Sequence, residues 1–195
     1  MTAPTSAGPV EMSRHPALEE LSQALQAAVL QPPSPAEAIA FGAHYRLDLG
    51  KLFIAVGKFA KAVVSTGRTF TELSTIDLIS AVHDVFYACS SALSAVRQKL
   101  QPDEYLVAVV LGGAPQGLTP QGVALACASL RETNGTHFPF WIGLSADLIS
   151  KANARILETG VDEALAGLEN FRLVKCQDDK TYVLTDRHMT IEWNA

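Results

Sequence analysis

Between Gly160 and Thr185 the chain reads GVDEALAGLENFRLVKCQDDKTYVLT, and this stretch narrows the possible folds more than any other. Val161, Ala164, Leu165 and Leu168 recur at helical spacing and predict one buried helix face. That helix runs almost at once into Leu173-Val174, a polar Gln177-Asp178-Asp179-Lys180 turn, and a second β-like run from Thr181 to Thr185. A helix followed directly by a β-hairpin is therefore expected. The helix carries Asp162, Glu163 and Glu169 and no basic residue.

With 195 residues and 48% hydrophobic content, the chain can bury a sizeable core as one domain or two small ones. Residues 1–15 (MTAPTSAGPVEMSRH) lack the pattern of a secretory signal and read as a disordered leader. A net charge of -5 argues against a surface that traps nucleic acid everywhere, so any such contact needs a local basic patch. Cys89, Cys127 and Cys176 are odd in number and widely spaced. They read as buried thiols of a reducing compartment, outside any disulfide framework or metal site. Apolar runs such as Tyr105 to Leu111 are too short to insert into a membrane, and the cytoplasm is the expected location.

The amino-terminal part reads as helical over residues 16–115. Leu18, Leu21, Leu25, Ala28 and Val29 predict a helix over Ala17 to Leu30, stopped at Gln31-Pro32-Pro33. Ser34-Pro35-Ala36-Glu37 then supplies an N-cap, a first-turn proline and a capping-box glutamate for a short helix to about Tyr45. Lys51 to Gly67 is apolar at Leu52, Phe53, Val56, Phe59, Ala60, Val63 and Val64, with Lys51, Lys58, Lys61 and Arg68 interleaved. On a continuous helix these four cations fall within about 100° of arc. They read either as the solvated side of a core helix or as a stripe for an anionic partner. Ile76, Ile79, Val82, Phe86, Cys89, Leu93, Val96 and Leu100 predict a helix over Thr75 to Leu100, close to 40 Å long. It suits the spine of a bundle or the interface of a homodimer. Tyr105 to Leu111 fits a buried strand or a buried helix equally well. The GGAPQGLTP loop after it has no GxxxxGK[ST] pattern and no lysine, so it does not read as a phosphate cradle.

From residue 118 onward, Thr119-Pro120 predicts the start of a helix through Val123, Leu125, Ala126, Cys127 and Leu130 to Asn134-Gly135, followed by a short strand at Phe138 to Ile142. A second helix is expected from Ser145 to Leu157, and a third capped by Thr159 with Asp162. The order of helix, strand, two helices and hairpin resembles the winged helix-turn-helix family, including MarR-like regulators. The resemblance rests on Leu118 to Pro120 at the start of the first helix. Val161, Ala164, Leu165, Leu168, Leu173 and Val174 match the packing of third helix into wing, and Tyr182, Leu184 and Thr185 match the returning strand. It implies a mainly α fold, with a helical part and a carboxyl-terminal winged helix over 118–195 whose small β-hairpin is the wing.

A winged helix most often reads DNA, which requires cations at phosphates and Arg, Lys, Asn or Gln at bases. Thr119 to Ala195 carries seven Lys and Arg against ten Asp and Glu. Arg172, Lys175, Lys180 and Arg187 around the wing can touch a backbone, but Asp178, Asp179 and Asp186 lie among them. The favoured function is thus a regulatory or adaptor protein that uses the module for protein contacts. The alternative is a DNA-binding regulator in which the Lys51 helix and the wing share one face.

Pro139 to Leu165 also resembles the end of a response-regulator receiver domain, which would make Tyr105 to Pro115 its acceptor strand. The residues at the acidic positions are Val56, Gly57, Leu111 and Gly112, and Gly167 stands at the lysine position, so only a degenerate receiver is possible. No enzyme constellation emerges. His83 and Cys89 are six residues apart and fall on different helix faces. His44, His137 and His188 have no neighbour at metal-ligand spacing, and Glu19-Glu20, Asp103-Glu104 and Asp162-Glu163 complement helix starts. No catalytic residue, metal or cofactor is expected.

Overall fold

Leu21, Leu25 and Ala28 fall on one side of a helix, and in the computed structural model α1 (Pro16–Ala28) buries all three. The structure describes residues 16–31, 43–66, 83–132, 138 and 142–193. The leader at 1–15 and Arg68 lie outside these residues. Helix α1 passes straight into β1 (Val29–Gln31), so Val29 belongs to a strand and not to the helix end.

The helix expected to run to about Tyr45 is corrected at its end, since residues 43–45 belong to β2 (Ala43–Asp48); residues 34–42 lie outside the described ones. Within AHYRLD, Tyr45 and Leu47 are buried and Arg46 is exposed, the period of two that a half-buried strand requires. Both edges of β2 are paired. β1 lies antiparallel on one side and β5 (His188–Trp193) antiparallel on the other, giving the order β1-β2-β5. Ladder pairing with a strand from the far end of the chain overrides the local helix preference.

Asp48 is buried at the end of β2, where its Oδ1 accepts the Lys51 amide at 3.2 Å and starts α2 (Leu49–Thr66). Leu49, Leu52, Phe53, Val56, Phe59 and Ala60 form its buried face, as the spacing predicts. α3 (His83–Lys99) buries Phe86, Cys89, Leu93 and Val96 in the same core. Its 17 described residues span about 25 Å, and residues 75–82 of the expected helix lie outside the described ones. These four side chains are used inside the chain, which leaves none of them for an interface with a second copy.

Tyr105 to Leu111 is helix, in α4 (Pro102–Gly112), and every residue of the run is buried. Pro102 at the first turn and Asp103 and Glu104 behind it are helix-start signals. Glu104 accepts the Gln101 amide at 2.7 Å. A helix apolar on all sides belongs at the centre of its fold. α4 packs against α2 on one side and against α6 and α7 on the other. The crossing with α2 is backbone to backbone: a β-carbon on Gly57 would strike Gly113 and Val109, and one on Gly112 would strike the Phe53 carbonyl. Tyr105 stacks edge-on with Phe53 at 5.6 Å and donates its hydroxyl to the Ile142 carbonyl at 2.5 Å.

α5 (Pro120–Glu132) and α6 (Ala146–Thr159) begin where their caps predict. The Thr119 hydroxyl accepts the Gly122 amide and the Ser145 hydroxyl accepts the Leu148 amide, each at 3.2 Å. Of the strand expected at Phe138 to Ile142, the two described residues are not strand, Phe138 lying in a bend and Ile142 having 3-10 conformation, and residues 139–141 lie outside the described ones. The edge pairing comes instead from Leu118, which exchanges both backbone hydrogen bonds with Tyr182 at 3.1 and 2.8 Å. α7 (Val161–Asn170) starts at Gly160 without the Thr159 cap, because that hydroxyl donates back to the Arg155 carbonyl at 3.1 Å. β3 (Val174–Cys176) and β4 (Tyr182–Leu184) close an antiparallel hairpin behind it. The fold is mainly α with this small hairpin. All strand pairings among the described residues are antiparallel, and the run a receiver needs as its acceptor strand is helix, so the receiver reading is not carried further.

Candidate interaction surface

The solvent side of α7 is set by its periodicity. Val161, Ala164, Leu165 and Leu168 are buried, and Asp162, Glu163, Ala166, Glu169 and Asn170 are exposed. These five occupy about 120° of arc and bring three carboxylates onto one face. α6 packs beside it, and the half-buried Arg155–Asp103 ion pair, Nε to Oδ1 at 2.7 Å, ties α6 to the start of α4. Asp103 is 1% exposed, and Arg155 covers it from the surface. The hydrogen bond and charge of Asp103 raise the Arg155 pKa further. The outer side of α6 leaves Leu157 78% exposed, and α5 leaves Leu125 74% exposed. Leucines this open are left uncovered by the described residues.

The cations singled out in the sequence fall into separate groups. On α2, Lys51 lies 4.0 Å from Asp48 Oδ2. Lys58 lines a cavity of about 400 Å³ with Glu20, Leu21 and Ala24 of α1. Lys61 lines a different cavity, of about 200 Å³, with Val109 and Val110 of α4 and Ala126, Ser129 and Leu130 of α5. The expected stripe is thus divided between two flanks of the helix. Lys175 is exposed on β3, whose only strand partner among the described residues is β4.

Arg172 and Lys180 share a backbone peculiarity: at φ 57° and 62° they are the two non-glycine residues with left-handed conformation among the described residues. Arg172 ends α7 in a Schellman motif, with the Leu173 amide bonded to Leu168 O at 3.0 Å and its own amide to Glu169 O at 2.8 Å. Lys180 follows the hairpin turn, its amide on Gln177 O at 3.0 Å and Gln177 N on Thr181 O at 2.7 Å. Glycine is the usual occupant of both places. Within the turn, Asp179 Oδ1 accepts the Thr181 hydroxyl at 2.6 Å and the Thr181 amide at 3.0 Å, and these bonds hold its carboxyl below the ordinary 3.8.

The Arg187 guanidinium carbon lies over the Phe171 ring, 3.9 Å from its centre. The two line an open concavity of about 500 Å³ together with Asn170, Arg172, Asp186 and His188. Arg46 on β2 contacts the lining residue His188, donating from Nη2 to its Nδ1 at 2.9 Å. The sequence pointed to Arg172 and Arg187 but gave no sign of Arg46 or His188, which meet only because Asp48 and His188 are register partners in the β2–β5 ladder.

Burial raises the thiols of Cys89 and Cys127 to about 12, whereas Cys176 is exposed on β3, which corrects the expectation that all three are buried. Among the described residues, no group of three or more His, Cys, Asp and Glu is placed to hold a metal ion, and no helix is long and apolar enough to cross a membrane. No family model, curated protein or solved structure matches the chain.

Proposed function

We propose that the protein is a non-enzymatic regulatory or adaptor protein whose carboxyl-terminal part is a winged helix used for protein contacts. Supporting the module are the Leu118 bridge, the adjoining helices α5 to α7, and a hairpin that follows α7 within a few residues. The observation that carries the function is the solvent face of α7. In a DNA reader this face enters a groove lined by phosphates. Asp162, Glu163 and Glu169 repel that surface and attract a basic one on a protein. Leu157 and Leu125, open on the neighbouring helices, supply apolar area of the kind that partner interfaces bury.

The second reading, a DNA-binding regulator, is favoured by one observation. Arg172, Lys175 and Lys180 project from the hairpin and have no carboxylate within ion-pair distance among the described residues. Two measurements separate the readings. A tagged full chain is expected to retain a protein from its native lysate that the Glu163→Lys/Glu169→Lys double variant loses at unchanged circular dichroism. Equal capture by both proteins counts against the adaptor reading. With generic duplex at about 50 mM salt no saturable binding is expected, and binding that weakens steeply as salt rises establishes the DNA reading.

A further inference from the structure

We infer that the concavity between the end of α7 and the start of β5 is a binding site for a compact phosphate group, carried by a phosphorylated segment of a partner protein. Two guanidinium groups, Arg172 and Arg187, line it against one carboxylate, Asp186, and a third, Arg46, is hydrogen-bonded to the lining residue His188. Guanidinium forks match phosphate oxygens in pairs, and Asn170 adds an amide donor on the same wall.

The site is organised before any ligand arrives. Arg187 is pinned on Phe171 by its ring contact, and its carbonyl accepts the Leu49 amide at 2.6 Å. The Schellman bonds fix the Arg172 backbone on one side, and the Thr185 hydroxyl, donating to its carbonyl at 2.7 Å, fixes it on the other. His188 accepts at Nδ1 from Arg46, which leaves Nε2 as the ring's donor. At Arg172 the chain holds a bulky cation where glycine would be unstrained, and strain of this kind is retained where the side chain has a use.

The surroundings select the form of the ligand. Glu169 and the rest of the acidic α7 face stand beside the concavity, so a continuous polyanion such as duplex DNA meets repulsion as soon as it extends past the arginines. A single phosphate on a peptide does not, and a basic stretch next to it complements α7. The choice of a protein as the source rests on the function proposed above; the anion site itself does not.

The test titrates the full chain with inorganic phosphate at constant ionic strength, against a chloride control, and follows backbone amide shifts. It then titrates a phosphoserine peptide with flanking lysines, its unphosphorylated twin, and duplex DNA. Saturable phosphate binding is expected with shifts confined to residues 45–47, 170–173 and 186–188, weakened about tenfold in Arg172→Gly and in Arg46→Gln. Arg172→Gly relieves strain, so its loss of binding cannot be assigned to unfolding. The phosphopeptide is expected to bind at least about tenfold tighter than its twin and tighter than the duplex. No saturable phosphate binding, or binding undiminished in both variants, overturns the site. Phosphate binding with equal affinity for the two peptides, or with the duplex tightest, overturns the phosphoprotein source. The α7 charge-reversal result does not bear on the phosphate titration, so the two readings fail separately.

Discussion

At the residue scale the chain is most informative where it departs from local preference. A left-handed backbone costs an L-residue roughly 1 kcal/mol, and glycine gives back about half of that gain through its freer unfolded state. Arg172→Gly is therefore expected to raise stability by about 0.5 kcal/mol, seen as a higher urea midpoint at unchanged slope, while it weakens phosphate binding. Neither left-handed position was legible in the sequence, since the signal for such turns is a glycine and here the places hold Arg172 and Lys180. Their charge was legible and their backbone was not. The exposure of Cys176 was missed for a related reason: on a three-residue edge strand with one partner, alternation is too short to show which side faces the core.

At the scale of elements, the helices with side-chain caps were readable to within a residue or two, because a cap and its amide are neighbours in sequence. Thr119 and Ser145 show this. Thr159 shows where it fails, as its hydroxyl has a second acceptor one turn back. Tyr105 to Leu111 was ambiguous because burial on all sides erases periodicity, and the flanking Pro102 decides it. The hairpin turn carries a pH dependence whose sign follows from Asp179. Its folded pKa lies below the ordinary 3.8, so the turn's contribution is complete above that value and is lost as pH falls through the lower, folded one. Following the Thr181 amide shift during acid titration is expected to give a midpoint below 3.8, and a midpoint at or above it contradicts the turn geometry.

For the whole molecule, the packing with least room for change is where α2 crosses α4 backbone to backbone. Gly112→Ala gains helix propensity but drives a methyl into the Phe53 carbonyl, and a net loss of about 2 kcal/mol is expected in urea unfolding. A loss below about 0.5 kcal/mol would mean the helices can separate freely. The arginines of the phosphate site belong to this scale too. Arg46 and His188 are 142 residues apart, and nothing local in either segment announces the other. That ladder also has a consequence in time. As the chain leaves the ribosome at roughly 5 to 20 residues per second, β2 waits about 7 to 28 seconds with one edge exposed before β5 exists to cover it. The phosphate site cannot assemble before β5 has left the ribosome, so its ligand can be recognised only by a chain made through that strand.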